Sequence, residues 1–164
     1  MVLIGLFVTA EFENVSEVRV PPDHTWFLDI RESDGFEVRE NVSLSAAEIV
    51  DTGNSRNSVH FSINFKDSRK KGTITIKGAD SKFTDDGYSC VCIFDCRGVD
   101  ILSWNPSGGY QVVCTSGNVI SDVEFEQDSW VGFDEVSHST TNINIQKSEK
   151  CASVLNLKYE LRVV

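Results

Sequence analysis

Alternation of apolar and polar residues, repeated in segment after segment, is the feature that most limits what this chain can fold into. Trp26, Leu28 and Ile30 fall on one side of a period-2 repeat, with Phe27, Asp29 and Arg31 on the other. Val59, Phe61, Ile63 and Phe65 alternate in the same way with His60, Ser62, Asn64 and Lys66. After a charged turn over 66–72 the chain returns through 73–77 with Ile74 and Ile76 inward, which predicts a hairpin. At this period successive side chains point to opposite faces, so each segment offers one face to a core.

Further strands are expected over 89–95, 99–104 and 110–115, the last two separated by the turn cluster Asn105-Pro106-Ser107-Gly108-Gly109. Leu155, Leu157, Tyr159, Leu161 and Val163 place one apolar face on a long terminal strand. The only helix candidate is 46–50, where Ser45 and Glu48 have the spacing of a capping box. Strands with turns at such short intervals predict an all-β fold, an antiparallel sandwich or barrel-like arrangement with little helix. The expected organisation is a single domain, 1–164. Similar strings at Phe12-Glu13-Asn14-Val15 and Phe94-Asp95-Cys96-Arg97 raise a division into pseudo-symmetric halves, 1–82 and 83–164.

Charge and cysteine content narrow the function. Acidic residues outnumber basic ones by 25 to 15, giving a net charge of −10. A field of that sign repels phosphate backbones, so no nucleic-acid partner is expected. Residues 2–10 are nearly all apolar, yet no Lys or Arg precedes them and Glu11 and Glu13 follow, so a buried first strand fits better than a secretory signal. No stretch approaches the ~20 apolar residues of a membrane-spanning helix, so no membrane partner is expected. Five cysteines, an odd number, suit reduced thiols and a cytoplasmic location better than a disulfide framework.

No catalytic constellation emerges. His24, His60 and His138 are scattered, and no nucleophile elbow, phosphate-cradling loop or dinucleotide fingerprint is present. The expectation is a protein that is not an enzyme. Cys90, Cys92 and Cys96 are the one dense sulfur cluster. On a regular strand they share a face with Phe94, which suggests a metal or redox site. Same-face neighbours on a strand stand roughly 6.5–7 Å apart, a span that two Zn–S bonds of ~2.3 Å do not comfortably bridge. Burial as small hydrophobes is the plainer account. Arg69-Lys70-Lys71 reads as a solvated hairpin tip, and Trp26, Trp104 and Trp130 as core residues rather than the lining of a cleft.

The C-terminal half carries a resemblance. Phe94-Asp95-Cys96-Arg97-Gly98, Trp104, Gly108-Gly109-Tyr110, Ser116-Gly117, Ser121-Asp122, Trp130 and Phe133-Asp134-Glu135 follow one another in an order and spacing that resembles the eukaryotic CXXC-motif zinc-binding protein family. Phe12-Glu13-Asn14-Val15 and Trp26-Phe27-Leu28 fit the opening of the same family. The resemblance implies a small intracellular all-β protein without established activity, in which two Cys-x-x-Cys pairs hold one structural zinc. It places the first pair at Glu32 and Gly35 and the second at Phe65 and Ser68, so none of the four ligand positions is a cysteine here.

The expectation is therefore a zinc-free relative that needs no cofactor. Structural zinc contributes ~10–16 kcal/mol in finger peptides, whereas one buried Phe gives roughly 1.5–3 kcal/mol, so the rest of the core must suffice. The function expected is a non-catalytic interaction or scaffold module with a protein partner. Its candidate contact residues are Trp130, Phe133, Asp134 and Glu135. The alternative is a metal- or thiol-binding protein that uses Cys90, Cys92 and Cys96.

Overall fold

The structure is a computed structural model that describes residues 2–50, 58–66, 71–78, 80–139 and 145–164. Three antiparallel sheets divide the strands. The largest runs in space through β12 (Trp130–Ser139), β13 (Ile145–Val163), β1 (Val2–Glu13), β8 (Ser89–Arg97), β6 (Lys71–Ile76) and β5 (Phe61–Asn64). A second is ordered β11 (Val119–Val123), β10 (Tyr110–Cys114), β2 (Val15–Arg19) and β7 (Lys82–Phe83). The third places β3 (Thr25–Glu32) between β4 (Val38–Ser45) and β9 (Val99–Trp104). The all-β antiparallel expectation is met. Each sheet draws strands from both 1–82 and 83–164, so the two halves interleave.

Alternation accounts for the core. Trp26, Leu28 and Ile30 of β3 are buried, as are Leu6, Val8 and Ala10 of β1. The predicted hairpin forms as β5 and β6, with Phe61 opposite Ile74 and Ile63 opposite Gly72. Its basic tip, Arg69-Lys70, lies outside the described residues. Trp26 and Trp104 belong to the core with ring centroids 6.4 Å apart, and Trp104 meets Tyr159 edge-on. Among the described residues no helix is present. The capping spacing at Ser45 makes one turn instead: its Oγ accepts from the Ala47 N–H at 3.2 Å and its carbonyl from the Glu48 N–H at 3.1 Å. Val50 then bridges to Val59, which draws the chain back into extended pairing.

Two bulges overrule the simple alternation. Between Thr9 and Glu11 the register of β1 on β13 slips, and Asn156 stands at φ +53. An extra residue in one strand reverses which side chains face inward. Ala152 and Val154 therefore face the core on one side of the bulge and Leu157 on the other, while Leu155 is exposed. The expected single face from Leu155 to Val163 is corrected at that point.

The second bulge lies between Leu6 and Phe7, where Leu6 pairs with Cys92 but Phe7 with Cys90. Val91 and Cys92 both reach the core, whereas the Cys90 Sγ lies with Phe7 on the other side of β1, near Gly5.

A tight hairpin joins the second sheet to the first. Glu126 and Ser129 exchange two backbone hydrogen bonds of 3.0 Å around Gln127 (φ +49) and Asp128 (φ +61). A two-residue loop with both φ values positive favours Asn-Gly, because a Cβ in the left-handed region costs about 1–2 kcal/mol. The double substitution Gln127→Asn with Asp128→Gly should raise stability by about 1 kcal/mol. An unchanged urea midpoint would show that the turn carries no such strain.

Candidate functional site

The described parts of the two turns on which the resemblance places its ligand pairs meet at one corner. The β3–β4 connection turns tightly at Glu32: its N–H donates to the Glu37 carbonyl at 2.9 Å, and its own carbonyl accepts from the Gly35 N–H at 3.1 Å. Asp34 takes the left-handed conformation at φ +62, which Asp tolerates better than most residues. The Glu32 carboxylate folds over Gly35 and fills the space a side chain at position 35 would need.

The second turn begins at Phe65, only 3% exposed. Its ring lies 3.1 Å from where a Cβ on Gly72 would stand, beside methyl groups of Val99 and Ile63. Gly72 has no Cβ because these groups already fill that space. Ser68 lies outside the described residues.

A carboxylate, rather than a metal ligand set, joins the two turns. Glu37 Oε1 accepts from the Lys66 backbone N–H at 3.0 Å, and Oε2 accepts from Arg39 Nε at 2.8 Å. The Lys66 N–H first, and then the Arg39 guanidinium, hold the Glu37 carboxyl below the usual range. Gly98 completes the corner. Its carbonyl accepts from the Ser33 N–H at 3.2 Å, and its left-handed backbone (φ +70) packs on Lys71 and Gly72. The string Phe94-Asp95-Cys96-Arg97-Gly98 thus ends in a turn wedged between the two others, a role its sequence did not disclose. Ser33 Oγ further donates to Asp100 Oδ1 at 3.0 Å.

Zinc in a structural site takes four Cys or His donors in a tetrahedron. At this corner Glu32 offers a carboxylate, Gly35 offers no side chain and Phe65 offers a buried ring. Among the described residues no three His, Cys, Asp or Glu side chains are grouped to hold a metal ion. The residues present do not fit the zinc that the resemblance implies.

Nor do the strand cysteines form one cluster. The bulge at Val91 puts Cys90 on the opposite face from Cys92, which corrects the shared face expected from spacing. Cys92 and Cys96 are buried, and desolvation raises both thiols, Cys96 to about 12. Groups held in the thiol form are poor nucleophiles and poor ligands.

Nor, among the described residues, is a histidine grouped with other potential ligands. His24 is buried against Trp26 and Tyr110, and burial lowers its pKa to about 4. His60 Nδ1 accepts from the Ile76 N–H at 2.8 Å. The side chain of His138 lies outside the described set.

The candidate contact residues lie on β12, at the end of the six-stranded sheet. Phe133 is 63% exposed, and Val131, which the motif did not single out, is 60% exposed. Trp130 is half-buried with its indole laid along the strand over Gly132. Asp134 is not a surface group. It is buried, and it accepts from Ser116 Oγ at 2.6 Å and Asn118 Nδ2 at 2.7 Å. It ties β12 to the turn between β10 and β11, so its place in the contact set is corrected to a structural one. Glu135 pairs with Glu149 through the backbone of β13, and its side chain lies outside the described set.

An all-β chain whose largest sheet ends in an exposed aromatic strand, and whose opposed turns meet at one corner, defines the class. The family model for the eukaryotic CXXC motif containing zinc binding protein matches residues 5–150, and the chain belongs to that family. A UPF0587 protein of Dictyostelium discoideum is 29% identical over 155 residues, covering 92% of this chain and 98% of its own length. The CXXC motif containing zinc binding protein of Rattus norvegicus is 24% identical over 148 residues, 85% of this chain and 92% of that one. A solved structure of a hypothetical protein from Plasmodium falciparum has a TM-score of 0.80 at 24% identity, covering 99% of this chain and 100% of the other. That likeness shows a shared fold. Among the described residues no helix is long and apolar enough to cross a membrane.

Proposed function

We propose that this protein is a non-catalytic cytoplasmic interaction module of its family in which the zinc junction has been replaced by ordinary protein contacts. The observation that carries this is the corner itself. Glu37, steadied by Arg39 beside it, joins the two turns through the Lys66 N–H, and Phe65 is buried where the resemblance places a cysteine. No two of the five cysteines stand three apart, so the chain contains no Cys-x-x-Cys pair. The interaction role is supported by Val131 and Phe133, two large apolar side chains held side by side in solvent on the terminal strand. Exposed apolar groups grouped in this way mark contact surfaces more often than chance exposure does.

Two measurements test the halves of this reading. Purified protein should carry no stoichiometric zinc, and a strong chelator should leave its melting temperature unchanged. One zinc per chain together with a fall in melting temperature on chelation would overturn the zinc-free half. For the interaction half, proteins captured from cells by the wild-type chain should be lost with the double substitution Val131→Lys and Phe133→Lys. Identical capture by a folded double variant would remove β12 as the contact surface.

A further inference from the structure

The open edge of β12 offers more than exposed side chains. In the hairpin that precedes it, pairing stops after the single Glu126–Ser129 bridge. The arm carrying Glu124 and Phe125 turns away toward the second sheet, and the Phe125 N–H donates to the Ser107 carbonyl at 3.1 Å instead of to β12. From Trp130 onward β12 is paired with β13 and stands last in the sheet order. Between the diverging arms opens a groove of roughly 820 Å³, lined by Glu124, Glu126, Gln127, Ser129, Trp130 and Val131. Trp130 and Val131 line it on the strand side, and Glu124 and Glu126 are exposed on the opposing arm.

Edge strands in stable proteins are usually blunted by Pro, by Lys or by a covering element, because unpaired backbone groups recruit further strands. β12 contains neither Pro nor Lys from Trp130 to Ser139, and its inward carboxylate, Asp134, is already taken up by Ser116 and Asn118. We infer that the β12 edge binds an extended segment of a partner protein by strand addition, and that this segment alternates basic with apolar residues. The inference rests on the interaction reading above and adds its mode and the chemistry of the partner. An added strand lies about 4.8 Å from the edge, and its main chain takes up the N–H and C=O groups that no described strand pairs with. Apolar side chains at alternate positions then stand across from Val131 and Phe133, where cross-strand apolar pairs stabilise a sheet. Lysine or arginine side chains between them meet Glu124 and Glu126.

A second copy of this chain is a poor occupant. It would bring its own Glu124 and Glu126 against the same two carboxylates, on a molecule of net charge −10.

The test uses the whole chain and a labelled, end-blocked peptide that alternates lysine and valine, followed by fluorescence anisotropy. Saturable binding is expected. Glu124→Lys with Glu126→Lys should weaken it by about tenfold or more. Asp85→Lys with Asp86→Lys, beyond β7 at the far edge of the second sheet, should leave it unchanged. Two further peptides carry N-methyl groups on the odd or on the even residues. Strand addition requires that one set abolish binding and the other be tolerated, since only alternate amides face the edge.

Equal behaviour of the two methylated peptides, or equal loss with the distant charge reversal, would overturn strand addition. So would absence of peptide binding, and self-association through β12 would replace the partner with a second copy. If capture of cellular proteins still depends on Val131 and Phe133 while strand addition fails, the interaction reading stands without this mode. If capture is also unaffected, both fall.

Discussion

Phe65→Ala should destabilise the protein by about 3–5 kcal/mol, the usual cost of removing a buried aromatic ring. At 3% exposure the ring has almost no contact with water, and it lies over Gly72 beside Val99. Truncation leaves a void at the junction of the β5–β6 hairpin with the β8–β9 turn. Neither wall can close it readily, because Gly72 has no side chain to move and Gly98 is packed on the Gly72 backbone. For a chain of this length the loss corresponds to a fall in melting temperature on the order of 10 °C. Phe36→Ala provides the internal comparison. That ring is 98% exposed on the neighbouring turn, and its removal should cost less than about 0.5 kcal/mol. Calorimetry on the two variants decides the matter. Equal small effects would mean that Phe65 does not close the corner, and the stability of a zinc-free junction would need another source.

The contrast between these two phenylalanines shows what the sequence discloses and what it withholds. Phe65 was legible, because it extends a row with Val59, Phe61 and Ile63 whose period predicts burial. The partner that joins its turn to the other was not. Glu37 reaches Lys66 across 29 positions, and no local pattern marks a surface glutamate as the acceptor of a distant backbone N–H.

Faces were misjudged where the extra residue of a bulge fell within the strand being counted. Cys90 left the row of Cys92 and Cys96 because one residue was inserted at Val91, and Leu155 left the row of Leu157 because Asn156 adopts a left-handed backbone. A bulge is a two-strand event, settled by the partner's register, and period counting on one strand cannot see it. The candidate contact surface was misjudged for a different reason, since β12 pairs with β13 in unbroken register. Phe133-Asp134-Glu135 reads as an acidic-aromatic exposed string, yet alternation on a terminal strand sends Phe133 outward and Asp134 inward.

That inward carboxylate leads to the second large effect. Asp134→Ala should cost roughly 1–3 kcal/mol at neutral pH, because the variant removes the acceptor shared by Ser116 Oγ and Asn118 Nδ2. The cost should depend on pH in a defined direction. The Ser116 hydroxyl, followed by the Asn118 amide, holds the Asp134 carboxyl below its ordinary value. A carboxyl whose folded pKa is depressed contributes stability that is fully present above the unfolded value of about 3.9 and is lost as pH falls through the lower folded value. The difference between wild type and Asp134→Ala should accordingly be level from about pH 5 to 7 and narrow below about pH 4.

Asp29 is depressed in the same direction, chiefly by Ser103 and then by the Asn41 N–H, and Glu37 by the Lys66 N–H, so wild type as a whole should weaken over that range. Urea titrations of both proteins at several pH values separate the contributions, since only the Asp134 share disappears in the variant. A difference that persists unchanged well below pH 3 would mean the alanine acts through lost packing rather than through the ionised carboxylate. The distinction bears on function. Asp134 anchors β12 to the β10–β11 turn one residue after Phe133, and a strand held from its inner face is what keeps Val131 and Phe133 presented together on the outer one. An acid-weakened anchor should therefore loosen the contact surface before the core of the sheet gives way.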